Sequence, residues 1–266
     1  MSDVVVEIIN EVGVITLNRP DKFNCLSMSV HHAIDEAREQ FENDAGVRVI
    51  LICSTGKHFC TGADLEEVSG FRDDPEKLRE FIRCGHGVLR RLETSPLPTV
   101  VAIQGLCLAG GLELMLACDV AFAANSAQLG DQHSHFGLIP GWGGSQRLPR
   151  IVGRRVALDL LYSARWLSVT DALNCGLINY SVADDALHDE ALSYCINLAA
   201  KSSTGLSLMK KLTDKGLDLS LDTSLELEAN EAPYALSSSD VTEGLSAFLE
   251  KRNPQFAPRK PLKNLK

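Results

Sequence analysis

Short apolar runs rich in β-branched residues alternate along the chain with longer stretches of helical spacing. Apolar runs at residues 4–8 and 13–17 flank the pair Asn10 and Glu11, which predicts an opening β-hairpin. Because strands recur between helices, the pattern favours a layered α/β core over an all-β sandwich. Further strands are predicted at residues 47–53, 99–103, 119–123 and 177–182, and helices at residues 27–44, 76–92 and 112–118.

From residue 183 onward the spacing is helical, with no convincing strand. This change predicts a core over residues 1–200 and a C-terminal helical region over residues 201–266. The charged stretch 65–80 is expected to be mobile, and the tail after Glu250, which has basic residues but no acids, to be solvated. The C-terminal helices are predicted at residues 183–200, 204–216, 220–234 and 238–250.

The composition narrows the possible classes of function. The chain has 266 residues, 45% of them hydrophobic, and a formal net charge of −9, which argues against nucleic acid as a partner because such binding needs concentrated positive charge. The eight cysteines include no CxxC pair, so free thiols in a reducing cytoplasm are expected. Residues 1–6 lack the features of a secretory signal. No apolar stretch approaches the ~20 residues of a membrane helix, so no membrane partner is expected.

Two glycine-rich turns, at residues 56–64 and 105–113, each follow a predicted strand. Glycine lets the backbone approach a ligand closely, and a turn that opens a helix leaves N–H groups unpaired. Two such turns facing each other would hold one carbonyl oxygen between two N–H donors, which is an oxyanion hole. Glu113 follows the second turn between two leucines. A carboxylate in such surroundings needs a partner or a catalytic role, although a helix N-terminus also favours one.

Four motifs in consistent order carry a resemblance to a known family. From about residue 4 to residue 252, the chain resembles the enoyl-CoA hydratase/isomerase (crotonase) family. The resemblance implies an α/β fold with a crotonase-like ββα spiral core and a C-terminal helical region. It also implies an acyl-CoA thioester substrate and a homotrimer or a dimer of trimers. The motifs are Leu-Asn-Arg-Pro at 17–20, Phe-Cys-Thr-Gly-Ala-Asp-Leu at 59–65, Ala-Gly-Gly-Leu-Glu-Leu at 109–114 with Cys-Asp at 118–119, and Gly-Leu-Ile-Pro-Gly-Trp-Gly-Gly at 137–144.

The resemblance further implies roles for individual residues. The backbone N–H groups of Thr61 and Gly110 would hold the thioester oxygen, and Glu113 would activate the water that adds to C3. Coenzyme A is part of the substrate, so no separate cofactor and no metal are expected. Asp64 also suits a structural role as a helix cap. Substrate contacts are expected from Lys22, Phe23, Leu26, Gly62, Ala63, Asp64, Gly111 and Trp142.

One position departs from the family pattern. Hydratases of the family normally carry a second glutamate before the Gly-x-Ile-Pro-Gly motif, and His133 occupies that position here, with Asp131 the nearest acid. Histidine serves as a general acid or base at neutral pH, so Glu113 and His133 would divide the proton transfers. Alternatively, His133 only lines the pocket. A metal site at Asp131, His133 and His135 is disfavoured because their alternating spacing lacks further ligands.

The predicted function is hydration of a 2-enoyl-CoA through an enolate held in the oxyanion hole, as in fatty-acid β-oxidation. Isomerisation of the double bond, which needs only one base, stays open, as do thioester decarboxylation and hydrolysis. A non-catalytic acyl-CoA-binding protein is a further alternative, against which the intact Glu113 argues. Dinucleotide, P-loop and nucleophile-elbow sites are excluded because their glycine spacings are absent.

Overall fold

A six-stranded sheet forms the centre of the computed structural model, which describes residues 2–259. Its first two strands form the predicted hairpin, and the turn residues Asn10 and Glu11 both have positive φ, as a tight hairpin with the normal twist requires. All other strand pairs of this sheet are parallel. The strands lie side by side in the order β1 (Val4–Ile9), β2 (Val12–Leu17), β3 (Val49–Ser54), β4 (Thr99–Ile103), β6 (Val120–Ala124) and β9 (Tyr180–Val182).

A second, three-stranded sheet was not predicted from the sequence. It consists of β5 (Leu106–Leu108), β7 (Gln128–Gly130) and β8 (Leu167–Ser168). Strands of two or three residues are too short to show a period of two, so the apolar pattern gives no signal for them. The structure therefore corrects the prediction of one tight turn at residues 105–113, because this segment contains β5.

The helices agree with the predicted ones to within a few residues, and the structure adds four that were not predicted. One of these, α2, lies in the stretch 65–80 that was expected to be mobile. It forms because the Asp64 side chain accepts hydrogen bonds from the N–H groups of Glu66 and Glu67. The helices are α1 (Met28–Asn43), α2 (Leu65–Phe71), α3 (Pro75–Glu93), α4 (Gly110–Leu116), α5 (Gly144–Val152), α6 (Arg154–Ser163), α7 (Val169–Asn174), α8 (Leu187–Ala199), α9 (Ser203–Leu217), α10 (Leu221–Leu236) and α11 (Ser239–Glu250).

The two faces of the six-stranded sheet build two hydrophobic cores. One face packs against α8, and the other packs against α1, α3 and α4. Because helices cover both faces, every residue of β3 and β4 is buried, which is typical of parallel strands. Within residues 2–259, no helix combines the length and apolar character that crossing a membrane requires.

Residues 251–255, 257 and 258 of the C-terminal tail are exposed to solvent, as expected, but the end of the described tail is bound to the core. The buried guanidinium of Arg48 donates to the carbonyl oxygens of Phe256 and Ala257 at 3.2 and 3.0 Å. The Arg259 guanidinium donates to backbone carbonyls at the C-terminal end of α1, where helices leave acceptors unpaired. One basic residue of the tail, Arg259, thus finds acceptors on the core. Lys260, Lys263 and Lys266 lie outside the described residues.

Candidate active site

The two glycine-rich segments meet backbone to backbone, as the sequence predicts. The Leu108 N–H donates to the Cys60 carbonyl at 2.9 Å, and the Cys60 N–H donates to the Leu106 carbonyl at 3.1 Å. At Gly111, a Cβ atom would lie 2.3 Å from the Cys60 carbonyl oxygen, so only glycine permits this approach. The close contact places the N-terminus of α4 directly against the first turn.

The backbone N–H groups of Ala63 and Gly110, one from each turn, have no acceptor within the described part of the chain. Ala109, just before Gly110, has φ 49° and ψ −118°, a strained conformation for a residue with a side chain. These dihedral angles of Ala109 fix the orientation of the following peptide group, which carries the Gly110 N–H. A Cβ at Gly110 would lie 3.3 Å from the carbonyl carbon of Gly62, the atom bonded to the Ala63 nitrogen. The two free donors are therefore neighbours.

The structure corrects the donor that was expected at the first turn. The N–H of Thr61 donates to the carbonyl of Phe23 at 3.2 Å, so this group already has an acceptor. Ala63, which was expected only as a substrate contact, has the free N–H instead. The sequence shows which segment forms the turn, but the direction of each N–H depends on backbone dihedrals that the sequence does not reveal.

Glu113 lies on the first turn of α4 and is almost completely buried. Its Oε1 accepts hydrogen bonds from the N–H groups of Trp142 at 2.7 Å and Gly144 at 2.8 Å. Its Oε2 lies 4.0 Å from Nε2 of His133. Burial raises the pKa of Glu113 above its ordinary value, against the opposing effect of the two N–H donors. One carboxylate oxygen is thus anchored, and the other faces the histidine.

His133 is held by Asp131, a residue whose role the sequence analysis did not identify. Nδ1 of His133 lies 3.0 Å from Oδ2 of Asp131, which is also buried. An ionised carboxylate only accepts hydrogen bonds, so Nδ1 carries a proton and Nε2 faces Glu113. Burial by itself lowers the pKa of His133, but the hydrogen bond and charge of Asp131, together with the Glu113 charge, raise it overall. The only indication of this contact in the sequence is that an acidic residue lies two positions before His133.

Two residues expected to contact substrate are instead engaged within the protein. Leu26 is fully buried, its N–H donates to the Gly62 carbonyl, and its carbonyl accepts from the Asp64 N–H. The Asp64 carboxylate caps α2 and pairs with Arg19 at 2.9 Å. Both residues therefore have structural partners that shape the first turn.

The other expected contacts fall into two groups. Lys22 and Phe23 lie at the surface, where Lys22 pairs with Glu66 at 2.6 Å and Phe23 stacks on His58. The remaining ones, Gly62, Ala63, Gly111 and Trp142, lie at the contact between the two turns or beside it. Within residues 2–259, no cluster of three or more His, Cys, Asp or Glu side chains has the arrangement of a metal site.

Comparisons with known proteins agree with this geometry. The sequence model of the family described as Enoyl-CoA hydratase/isomerase matches residues 7–259. A probable enoyl-CoA hydratase of Bacillus subtilis (strain 168) is 38% identical over 92% of this chain and 95% of that protein. A 1,2-epoxyphenylacetyl-CoA isomerase of Escherichia coli (strain K12) is 36% identical over 92% of this chain and 94% of its own. The crystal structure of an enoyl-CoA hydratase from Bacillus anthracis matches with a TM-score of 0.92 and 33% identity, over 96% of this chain and 99% of that one. The predicted α/β architecture is thereby confirmed.

The contact between Asp131 and His133 predicts a specific change on Asp131→Asn. Asparagine keeps the shape of the side chain but removes its charge, so the pKa of His133 should fall. The measurement is an NMR titration of the histidine Cε1–H signals, with the His133 signal assigned by its loss in His133→Gln. A pKa that is the same in the wild-type protein and in Asp131→Asn would contradict the assigned contact.

Proposed function

The chain belongs to the enoyl-CoA hydratase/isomerase family, and we propose that Glu113 and His133 together add water to the double bond of a 2-enoyl-CoA thioester. The observation that carries this proposal is the buried pair itself. Glu113 Oε2 and His133 Nε2 face each other at 4.0 Å, beside the unpaired N–H groups of Ala63 and Gly110. A carboxylate, an imidazole and two oxyanion donors are the groups that the reaction needs.

The two free N–H groups bind the thioester oxygen. When water adds to C3, negative charge develops on this oxygen as the enolate forms. Fixed donors at Ala63 and Gly110 stabilise that charge more than the uncharged substrate, and removal of one such donor typically lowers the rate by ~10²–10³-fold. Because backbone supplies both donors, their positions depend on the contact between the two turns and not on side chains.

Glu113 acts as the general base. Its anchored Oε1 fixes the carboxylate, and Oε2 accepts a proton from water as the water oxygen bonds to C3. Burial raises the pKa of this carboxyl group, which makes the carboxylate a stronger base. The electron pair of the double bond moves onto C2 and the thioester oxygen, where the Ala63 and Gly110 donors receive the charge.

His133 supplies the proton that completes the addition. Asp131 raises the pKa of His133, so a protonated fraction is present near neutral pH. The Nε2 proton goes to C2, and the proton taken from water then returns from Glu113 to Nε2. One water molecule is consumed, and both side chains regain their starting states.

The proposal also covers the cofactor, the metabolic process and the cellular location. Coenzyme A enters as part of the substrate, and the mechanism uses no other cofactor. Hydration of a 2-enoyl-CoA is a step of fatty-acid β-oxidation, which we propose as the process. The eight cysteines are all free thiols, which supports a reducing cytoplasmic location.

A homo-oligomer, a trimer or a dimer of trimers, is also part of the proposal. Large apolar side chains are exposed on each of the last three helices, and clusters of this kind mark interaction surfaces. A second copy of the chain would cover them. They include Met209 and Leu217 on α9, Leu221, Leu225, Tyr234 and Leu236 on α10, and Leu245, Phe248 and Leu249 on α11.

Glu113→Gln should abolish hydration and leave ligand binding intact. The amide keeps the shape of the carboxylate but cannot accept the proton from water, so kcat should fall by about 10²–10⁴-fold. The measurement follows loss of the conjugated enoyl absorbance of crotonyl-CoA, with affinity for butyryl-CoA as the binding control. His133→Gln should also lower kcat, and His133→Glu should recover part of it because a carboxyl group can donate the same proton.

The exposed His135 provides the matched control for His133, because both lie on the helical turn His133–Phe136. His135→Gln should keep wild-type turnover. Turnover near the wild-type level in Glu113→Gln would refute the proposed base. Rapid double-bond migration in a 3-enoyl-CoA, with no hydration of crotonyl-CoA, would favour the isomerase instead.

The oligomer is tested by light scattering of the purified protein. The expected mass is three or six times the 28.9 kDa of one chain. Phe248→Asp should reduce that mass, because a charge cannot be buried in an apolar interface without a partner. A wild-type protein that is monomeric at micromolar concentration would contradict this part of the proposal.

A further inference from the structure

The indole ring of Trp142 fills the space between the second glycine-rich segment and α3. A Cβ at Gly110 would lie 2.5 Å from Cζ3 of the ring, and a Cβ at Gly85 would lie 2.3 Å from its Nε1. The two edges of one ring therefore touch two glycines on different helices. Since neither position tolerates a side chain while the ring is in place, the ring position is closely defined.

Other aromatic side chains hold the same ring from the sides. The His31 ring meets it edge-on with centroids 4.5 Å apart, and the Phe81 ring lies 5.3 Å away. Trp142 and His31 are both buried, and burial and His32 lower the pKa of His31 to about 4, so the imidazole is neutral. These rings form a packed aromatic cluster made of His31, Phe81 and Trp142.

The aromatic cluster contains polar atoms that have no partner. Nε1 of Trp142 and both ring nitrogens of His31 have no hydrogen-bond partner within residues 2–259. An unpaired buried donor is unfavourable, and an aromatic ring without an N–H group would avoid that penalty. The indole nitrogen makes no hydrogen bond that would require a tryptophan here, so the relevant property of the side chain is the size of its ring.

The proposed reaction places the substrate directly beside this ring. The thioester oxygen binds at the Gly110 N–H, and Gly110 touches the ring. C3 lies at Oε2 of Glu113, and the other oxygen of this carboxylate, Oε1, accepts from the backbone N–H of Trp142 at 2.7 Å. The thioester end of the reacting unit thus adjoins the Trp142 ring, and the C3 end adjoins the carboxylate that the Trp142 backbone anchors.

We propose that the acyl carbons beyond C3 extend towards the aromatic cluster, where Trp142 closes the acyl end of the site and restricts the enzyme to short-chain 2-enoyl-CoA substrates. This inference rests on the proposed function, because that function places C1 and C3 of the substrate. A densely packed cluster cannot admit further methylene groups without displacing side chains. Trp142 is thus a specificity-determining residue, in addition to the role of its backbone N–H in anchoring Glu113.

The test compares kcat/KM for crotonyl-CoA and 2-decenoyl-CoA in the wild-type protein and in Trp142→Ala. A single methylene group in a tight pocket changes selectivity by about tenfold or more, so the wild-type protein should prefer crotonyl-CoA by at least that factor. Trp142→Ala keeps the backbone N–H that anchors Glu113 and removes only the ring. It should raise the decenoyl-to-crotonyl ratio by about tenfold or more.

The controls distinguish a change in chain-length selectivity from a loss of folded protein. The ratio of two substrates does not depend on the fraction of folded protein, and Trp142→Phe provides a smaller truncation with no unpaired N–H. It should raise the ratio by less than Trp142→Ala does. Trp166, the other tryptophan, is partly exposed on the surface, and Trp166→Ala should leave the ratio unchanged. A wild-type enzyme that hydrates both substrates equally well, or an unchanged ratio in Trp142→Ala, would overturn the inference.

Binding distinguishes a failure of this inference from a failure of the proposed function. By calorimetry, the wild-type protein should bind decanoyl-CoA no more tightly than butyryl-CoA, and Trp142→Ala should bind decanoyl-CoA more tightly. This pattern without hydration of crotonyl-CoA would refute the hydratase and support the closed acyl end. Tighter wild-type binding of decanoyl-CoA would refute the closed acyl end, whatever the reaction.

Discussion

The site depends first on one contact, the close approach of two backbone segments that strands β3 and β4 deliver to the same edge of the sheet. The hydrogen bonds between Cys60 and the strand Leu106–Leu108 pair these segments, and the absence of a side chain at Gly111 lets them touch. This contact leaves the N–H groups of Ala63 and Gly110 side by side without acceptors. It also sets the start of α4, and therefore the position of Glu113. A side chain at Gly111 would separate the segments and so displace the donors and the carboxylate together.

Around that backbone frame, the charges are arranged in a chain from Asp131 through His133 to Glu113. Each member is buried or nearly so, and each has a defined neighbour at 3.0 or 4.0 Å. Burial favours the neutral form of Glu113, whereas Asp131 favours the charged form of His133. In the proposed mechanism, the histidine takes the acid role that a second glutamate has in the family pattern. Asp131 makes this possible because an isolated buried histidine would titrate lower, as His31 does.

The large sheet and seven of the eleven helices could be predicted from the sequence, whereas the small sheet and the helices α2, α5, α6 and α7 were missed. The hairpin, the strands of the large sheet and the four C-terminal helices all agree with the apolar pattern. The small sheet and α2 were missed because few residues carry their signal. The attachment of the tail was missed because its partners, the Arg48 guanidinium and the carbonyl groups at the end of α1, are distant in sequence.

At the site, Gly110, Glu113 and His133 were identified from motifs and meet as expected. The sequence did not show that the free N–H belongs to Ala63 and not to Thr61, because this depends on peptide orientation. Nor did it show the contact of Asp131 with His133, because this depends on side-chain geometry. Leu26 was expected to contact substrate but is fully buried, because a motif does not reveal whether a side chain faces a ligand or the core.

The central claim is that one substrate lies with its thioester oxygen at Ala63 and Gly110 and its C3 at Glu113 and His133. A crystal structure of the protein with bound acetoacetyl-CoA tests it most directly. The account predicts the thioester oxygen within hydrogen-bond distance of both N–H groups, and the 3-keto oxygen between Glu113 Oε2 and His133 Nε2. A thioester oxygen bound elsewhere, or an acyl group turned away from Glu113, would contradict the account.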